Sequence, residues 1–226
     1  LELAEILEAV HGRGTSYRER PSLSGEPDGV LETLLVTILS QASSDGRTRK
    51  IWDRLTEQFP TPGAMLQARP GEIEEILRPG GLAKQKASYI QQVIARVCAD
   101  MGECSLERLR SWTDGECRDY LLDLPGVGIK TAACVLLFGL DRDVFPVDTH
   151  VARIARRLGL VSEGAAPERI HRDLAPHIPP GIALSLHLNL LEHGRKVCLA
   201  VSPKCGMCDL QKWCCWYGED GNREAR

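Results

Sequence analysis

The sequence predicts an all-α protein, and three observations carry that prediction. Apolar residues recur at helical spacing along almost the whole chain. Aromatic residues make up only 5% of it, too few for the strand-rich cores of β proteins. The breaks between periodic segments fall at Gly and Pro, which end helices or turn the chain. At 226 residues and 43% hydrophobic content the chain builds one large domain or two small ones and is not disordered. A formal net charge of −3 gives no global basic signature, so any nucleic-acid contact must come from local patches and backbone dipoles. No apolar run approaches the ~18–20 residues that cross a bilayer, and no secretory signal is visible, so no membrane association and a cytoplasmic location are expected.

The elements follow in order. Leu3, Ile6, Leu7 and Val10 form an amphipathic opening helix. Residues 12–27 are a connector rich in Gly, Ser, Pro and Arg, the one clear break in composition. A helix over 29–40 places Leu31, Leu34, Leu35 and Ile38 on one face. Ser44 and Asp45 offer an N-cap to the next helix, which carries Trp52, Leu55 and Phe59 inward and Arg47, Arg49, Lys50 and Arg54 outward. Pro60 and Pro62 end it. Two short helices are expected over 64–68 and 71–77, then a sharp turn at Pro79-Gly80-Gly81. A long helix follows with Ile90, Val93, Ile94 and Val97 buried. Beyond residue 150, Val151, Ile154, Ala155 and Leu158 mark one helix and residues 168–177 a shorter one. From 182 to 190, apolar and other residues alternate as they would in a strand. The segment is assigned as helix because an isolated strand has no partner. A polar tail begins at Glu219.

The stretch over 114–153 organises the rest. Cys117, Tyr120, Leu121 and Leu124 lie on one helical face, and Pro125 forbids continuation. Gly126, Val127 and Gly128 form a tight turn, and a second helix starts near Ile129 with Ala132, Val135 and Leu136 inward. Such a turn aims free backbone N–H groups at one point before a helix, a ready phosphate site. Lys130 stands beside it as a phosphate-contacting or merely exposed lysine, or as a nucleophile. Eighteen residues on, Asp148 is followed by Thr149-His150 and a helix. It fits a plain N-cap and equally a reactive carboxylate. His150 reads as a structural hydrogen-bonding residue.

Nine cysteines, an odd number, argue against a disulfide framework and for a metal site. Cys198, Cys205, Cys208 and Cys214 are spaced C-x6-C-x2-C-x5-C on a loop-like segment. Four thiolates so placed can wrap a zinc ion or an iron–sulfur cluster. Cys215 is a spare thiol or an alternative in register; Cys98, Cys104, Cys117 and Cys134 are scattered, and Cys117 and Cys134 fit core faces. Arg195, Lys196, Lys204 and Lys212 make the loop locally basic, either as solvated charge or as a phosphate-facing patch.

Together these residues resemble the endonuclease III family of DNA glycosylases. Leu124-Pro125-Gly126-Val127-Gly128-Ile129-Lys130-Thr131-Ala132 is similar to its helix–hairpin–helix, Val147-Asp148-Thr149-His150 to its Gly/Pro-rich-and-Asp element, and the four cysteines to its [4Fe-4S] loop. Leu39-Ser40-Gln41 with Asp45, and Gly81-Leu82-Ala83 with Lys86-Ala87, resemble two further elements. The resemblance implies a two-domain helix–hairpin–helix DNA glycosylase fold with a C-terminal iron–sulfur loop. One domain would span 26–138, and the other would join 1–25 to 139–226. It implies a nucleoid-associated bacterial or archaeal monomer that binds double-stranded DNA with damaged bases or abasic sites. Oxidised pyrimidines would be excised, with strand cleavage by an AP lyase step. Lys130 would be the Schiff-base nucleophile and Asp148 its carboxylate. Gly126, Val127 and Gly128 would hold a phosphate, Gln41 and Leu82 would contact the opened DNA, with Leu82 wedging the stack, and Cys198, Cys205, Cys208 and Cys214 would ligate [4Fe-4S].

Two positions depart from the family pattern. The family's gap-filling glutamine aligns without a gap on Ala42, leaving Gln41 one residue early, and Ala83 stands where an aromatic is common. Two alternatives follow: a monofunctional glycosylase, disfavoured by Lys130, and a non-catalytic damage-binding protein of the same fold.

Overall fold

The computed structural model describes residues 2–12 and 29–220, and all regular structure among them is helical. The connector from residue 13 and the tail from residue 221 lie outside the described residues. The chain divides into two compact units, Leu1–Glu19 with Asp143–Arg226, and Arg20–Arg142. The first helix, α1 (Glu2–His11), belongs to the former.

The 20–142 unit is built on α2 (Val30–Ser40), which packs against α3 (Asp45–Gln58). The short helices α4 (Pro62–Leu66) and α5 (Glu72–Leu77) lead to the long α6 (Ala83–Met101), and α6 contacts α2, α4 and α5. Val30, Leu34, Leu35 and Ile38 of α2 and Ile90, Val93, Ile94 and Val97 of α6 are completely buried. Each such side chain contributes about 1.5–3 kcal/mol on leaving water, so these two stripes dominate the core. Gly29 has no side chain with which to cap α2; the Glu107 carboxylate accepts the Val30 N–H at 2.9 Å instead. That places negative charge at the positive end of the helix dipole. A capping box between Thr113 and Glu116 starts α7 (Asp114–Leu122). Helix α8 (Ile129–Cys134) runs directly into a π-helical stretch, Val135–Gly139, and both pack on α2.

The other unit is centred on α11 (Ala183–Lys196), which packs on α1 and on α9 (Thr149–Arg157). Helices α10 (Pro167–Leu174) and α12 (Cys215–Asp220) complete it. The alternating segment is helical, as assigned: Ala183, Leu186, Leu190, His193 and Val197 are buried at helical spacing. Asp143 caps α11 by accepting the N–H groups of Gly181 and Ala183. A Cβ at Gly194 would sit 2.8 Å from His150 Cβ and 3.1 Å from Arg153 Nη2, so a glycine is needed where α9 and α11 cross.

Two expectations need correction. The cysteine reading left Cys98 and Cys104 as scattered thiols, but they form a disulfide. The left-handed turn at Gly102, which ends α6, brings their Cα atoms to 4.3 Å. Helix α7 also ends at Leu122, two residues before the apolar face was expected to stop, and Leu124 is buried in the turn that follows.

Candidate functional site

After α7 the chain turns through Leu124, Pro125 and Gly126, and the Val127 N–H closes the turn on the Leu124 carbonyl at 3.2 Å. Gly126 has φ +77, in the left-handed region, and a Cβ there would overlap the Tyr89 ring, 2.6 Å from its Cγ. Gly128 differs. It is extended (φ −100, ψ 178), caps α8, and has open space where a Cβ would lie. One glycine is thus demanded by the fold and the other leaves the hairpin surface bare. Val127 buries its side chain, so its outward contribution is backbone. The first N–H groups of α8 have no acceptor within the helix and carry its positive pole.

Lys130, half-buried in that first turn, makes no hydrogen bond or ion pair with any described residue. Asp148 is the N-cap of α9: its Oδ1 accepts the Val151 N–H at 2.8 Å, which fixes the carboxylate. Arg153 Nη2 meets His150 Nδ1 at 3.1 Å, the structural contact expected of that histidine.

Gln41 does not point away from the protein. Its Nε2 donates to Gly126 O at 3.1 Å and to Thr131 Oγ1 at 3.4 Å. Ala42 beside it has φ +51, and Leu82, the N-cap of α6, has φ +52 and is 53% exposed. Lys86, 1% exposed, donates to Leu39 O at 2.8 Å and Gly80 O at 3.2 Å, two carbonyls close in sequence to these residues. Burial lowers its pKa from the usual lysine range. Lys86 was missed as a structural residue, yet it precedes Ile90, Val93 and Val97 by 4, 7 and 11 positions and so shares the buried face of α6.

Cys198, Cys205, Cys208 and Cys214 are free thiols of intermediate exposure. Burial pushes the Cys208 thiol up; a backbone N–H at Leu210 opposes this, and Cys198, Cys214 and Cys205 push it further up. Arg157 Nη1 donates to Cys198 Sγ at 3.1 Å, and its guanidinium lies 4.6 Å from the Trp216 ring. Among the described residues, no three His, Cys, Asp or Glu side chains converge closely enough to hold a metal ion.

The glycine hairpin between α7 and α8, the lysine without a partner among the described residues and the capped aspartate further on give the chain the form of a helix–hairpin–helix protein. Residues 35–180 match the model of the HhH-GPD superfamily of base excision DNA repair proteins, and the chain belongs to that family. Endonuclease III of Thermotoga maritima is 32% identical over 193 residues, 85% of this chain and 86% of that one. An Arabidopsis thaliana protein named as a DNA glycosylase is 36% identical over 173 residues, 76% of this chain, which spans 59% of that relative's length. The structure of a trapped endonuclease III–DNA covalent intermediate superposes with a TM-score of 0.79 at 27% identity, covering 100% of this chain and 98% of that one.

Proposed function

We propose that this chain is a bifunctional DNA glycosylase and AP lyase that removes oxidised pyrimidines from double-stranded DNA. Lys130 carries the proposal: an amine in the first turn of α8, just past the hairpin, with no described partner to hold it away from a substrate. The damaged nucleotide must leave the stack, because C1′ is shielded inside the duplex. The neutral Lys130 amine then bonds to C1′ as the C1′–base bond breaks, and the base departs with the bonding electrons. The sugar opens to an iminium, which acidifies the C2′ proton. Loss of that proton expels the 3′ phosphate, so the strand is cut by β-elimination.

The remaining residues take supporting roles. Asp148 stabilises the positive charge that builds on the sugar; its cap bond to Val151 removes the freedom that would otherwise be lost at that moment. The backbone of Gly126, Val127 and Gly128 binds a phosphate beside the lesion. Leu82, the exposed apolar residue of its turn, fills or parts the stack. The 26–138 segment acts as the hairpin domain, and 1–25 with 139–226 as the cluster domain.

Cys198, Cys205, Cys208 and Cys214 would hold a [4Fe-4S] cluster. The all-thiol donor set fits such a group, as does an arginine N–H already directed at one sulfur, since hydrogen bonds to the sulfurs tune these clusters. The cluster would supply a structural tie for the C-terminal loop and a redox-active centre. Strand cleavage of a thymine glycol duplex by the full chain tests the proposal. Wild type should release the base and nick the strand, and Lys130→Ala should lose both by ~10³-fold or more. Undiminished nicking by Lys130→Ala excludes the assignment.

A further inference from the structure

We propose that Gln41 is a positioning residue that braces the hairpin from inside the protein and does not enter the DNA. This rests on the reading of the hairpin as a phosphate clamp. A glutamine amide nitrogen has two protons. Here its contacts go to two acceptors that straddle the turn: the carbonyl of the left-handed Gly126 and the hydroxyl of Thr131 in the first turn of α8. Residues 85 and 90 positions away in sequence are thereby tied to the end of α2. Tyr89 supplies the apolar part of the same support. Its ring packs against Gly126, and its hydroxyl accepts from Gln85 Nε2 at 2.9 Å.

The brace reaches the wedge as well. Gln41 is the C-cap residue of α2, and Lys86 joins Leu39 of that last turn to Gly80 of the turn that carries Leu82. The phosphate-binding hairpin and the Leu82 turn are therefore both tied to the last turn of α2, the hairpin by the half-buried Gln41 contacts and the Leu82 turn by the buried Lys86 contacts. Entry of Gln41 into a duplex would break both of its bonds and release Gly126 O. The next residue, Ala42, has only a methyl group to offer. No side chain at 41 or 42 then reads the base left unpaired by flipping, and the enzyme should accept any base opposite the lesion.

The test uses the full chain, with Gln41→Ala, Gln41→Leu and Thr131→Val. Affinity is measured for an undamaged duplex and for four duplexes carrying a tetrahydrofuran abasic analogue opposite A, C, G or T. Hydrogen exchange is followed at residues 126–131. The brace predicts an equal loss on all five duplexes, about 5- to 10-fold for the two bonds together. It also predicts faster hairpin exchange with little change in the rest of the 20–142 unit, and a Gln41→Ala/Thr131→Val double variant that loses less than the sum of the singles. A loss confined to abasic duplexes, or graded by the opposite base, overturns the brace in favour of a gap-filling role. So does unchanged hairpin exchange. Faster exchange with unchanged affinity for every duplex overturns the clamp reading instead. Thr131→Val reports on the same contact should Gln41→Ala fail to fold.

Discussion

Gly126 is the position where the hairpin's conformation has a calculable cost. Substitution by Ala forces an L side chain into φ +77, worth about 1–2 kcal/mol. It also drives a Cβ into the Tyr89 ring, 2.6 Å from Cγ and 2.8 Å from Cε2, so the ring or the turn must move. Overpacking of this kind costs about 1–3 kcal/mol. The sum is about 2–5 kcal/mol, which at this chain length lowers the melting temperature by on the order of 10 °C. Thermal and urea unfolding monitored by circular dichroism measure it. The two parts separate in a Tyr89→Ala background, where only the backbone part, about 1–2 kcal/mol, should remain. A Gly126→Ala protein as stable as wild type would refute the turn geometry. A cost undiminished by Tyr89→Ala would refute the steric half of the reasoning.

Gly128→Ala should be the opposite case: folding changes by less than about 1 kcal/mol because the backbone is extended and the space open, while duplex affinity falls as a methyl meets the phosphate. Filter binding beside a urea titration checks both. Asp148→Asn should keep the α9 cap and most stability yet lose activity, whereas Asp148→Ala should also lose about 1 kcal/mol of stability. Burial lowers the pKa of His171, whose Nδ1 is buried among the described residues with no partner. Its neutral form is favoured in the fold, so its contribution is present above the ordinary histidine range. It is lost as pH falls toward the lowered folded value, while the unfolded chain takes up a proton first. His171→Leu should flatten that acid-side decline in unfolding free energy. Purified under anaerobic conditions, the wild-type protein should be brown, with iron and sulfide in equal amounts, and Cys208→Ser should lose the visible absorbance. A colourless, iron-free, folded wild type would contradict the cluster.

Local chemistry made much of this molecule legible in sequence. The Pro125-Gly126-Val127-Gly128 turn, the cap at Asp148 and the buried stripes of α2 and α6 are each set by residues within a turn or two of one another, so period and capping rules find them. What escaped are contacts between segments. The Gln41 bonds to Gly126 and Thr131 join residues that no local pattern relates. The Tyr89 ring against Gly126 is likewise a product of packing, and the same holds for Glu107 capping α2 from 77 residues away. Lys86 lay between these cases. Its helical phase points inward, but lysine on a buried face is rare. Only the carbonyls of Leu39 and Gly80, delivered by two other segments, make that burial tolerable. The disulfide was hidden for a different reason: Cys98 and Cys104 are close in sequence, but the turn at Gly102 that faces them together is a property of the helix end.

The central claim is that Lys130 forms a covalent bond to the sugar of the damaged nucleotide. Borohydride reduction during turnover of a thymine glycol duplex, followed by peptide mass mapping, measures that bond directly. A reduced adduct on the peptide carrying Lys130, absent in Lys130→Ala, is the predicted result. An adduct on any other residue, or trapping undiminished in Lys130→Ala, would contradict it.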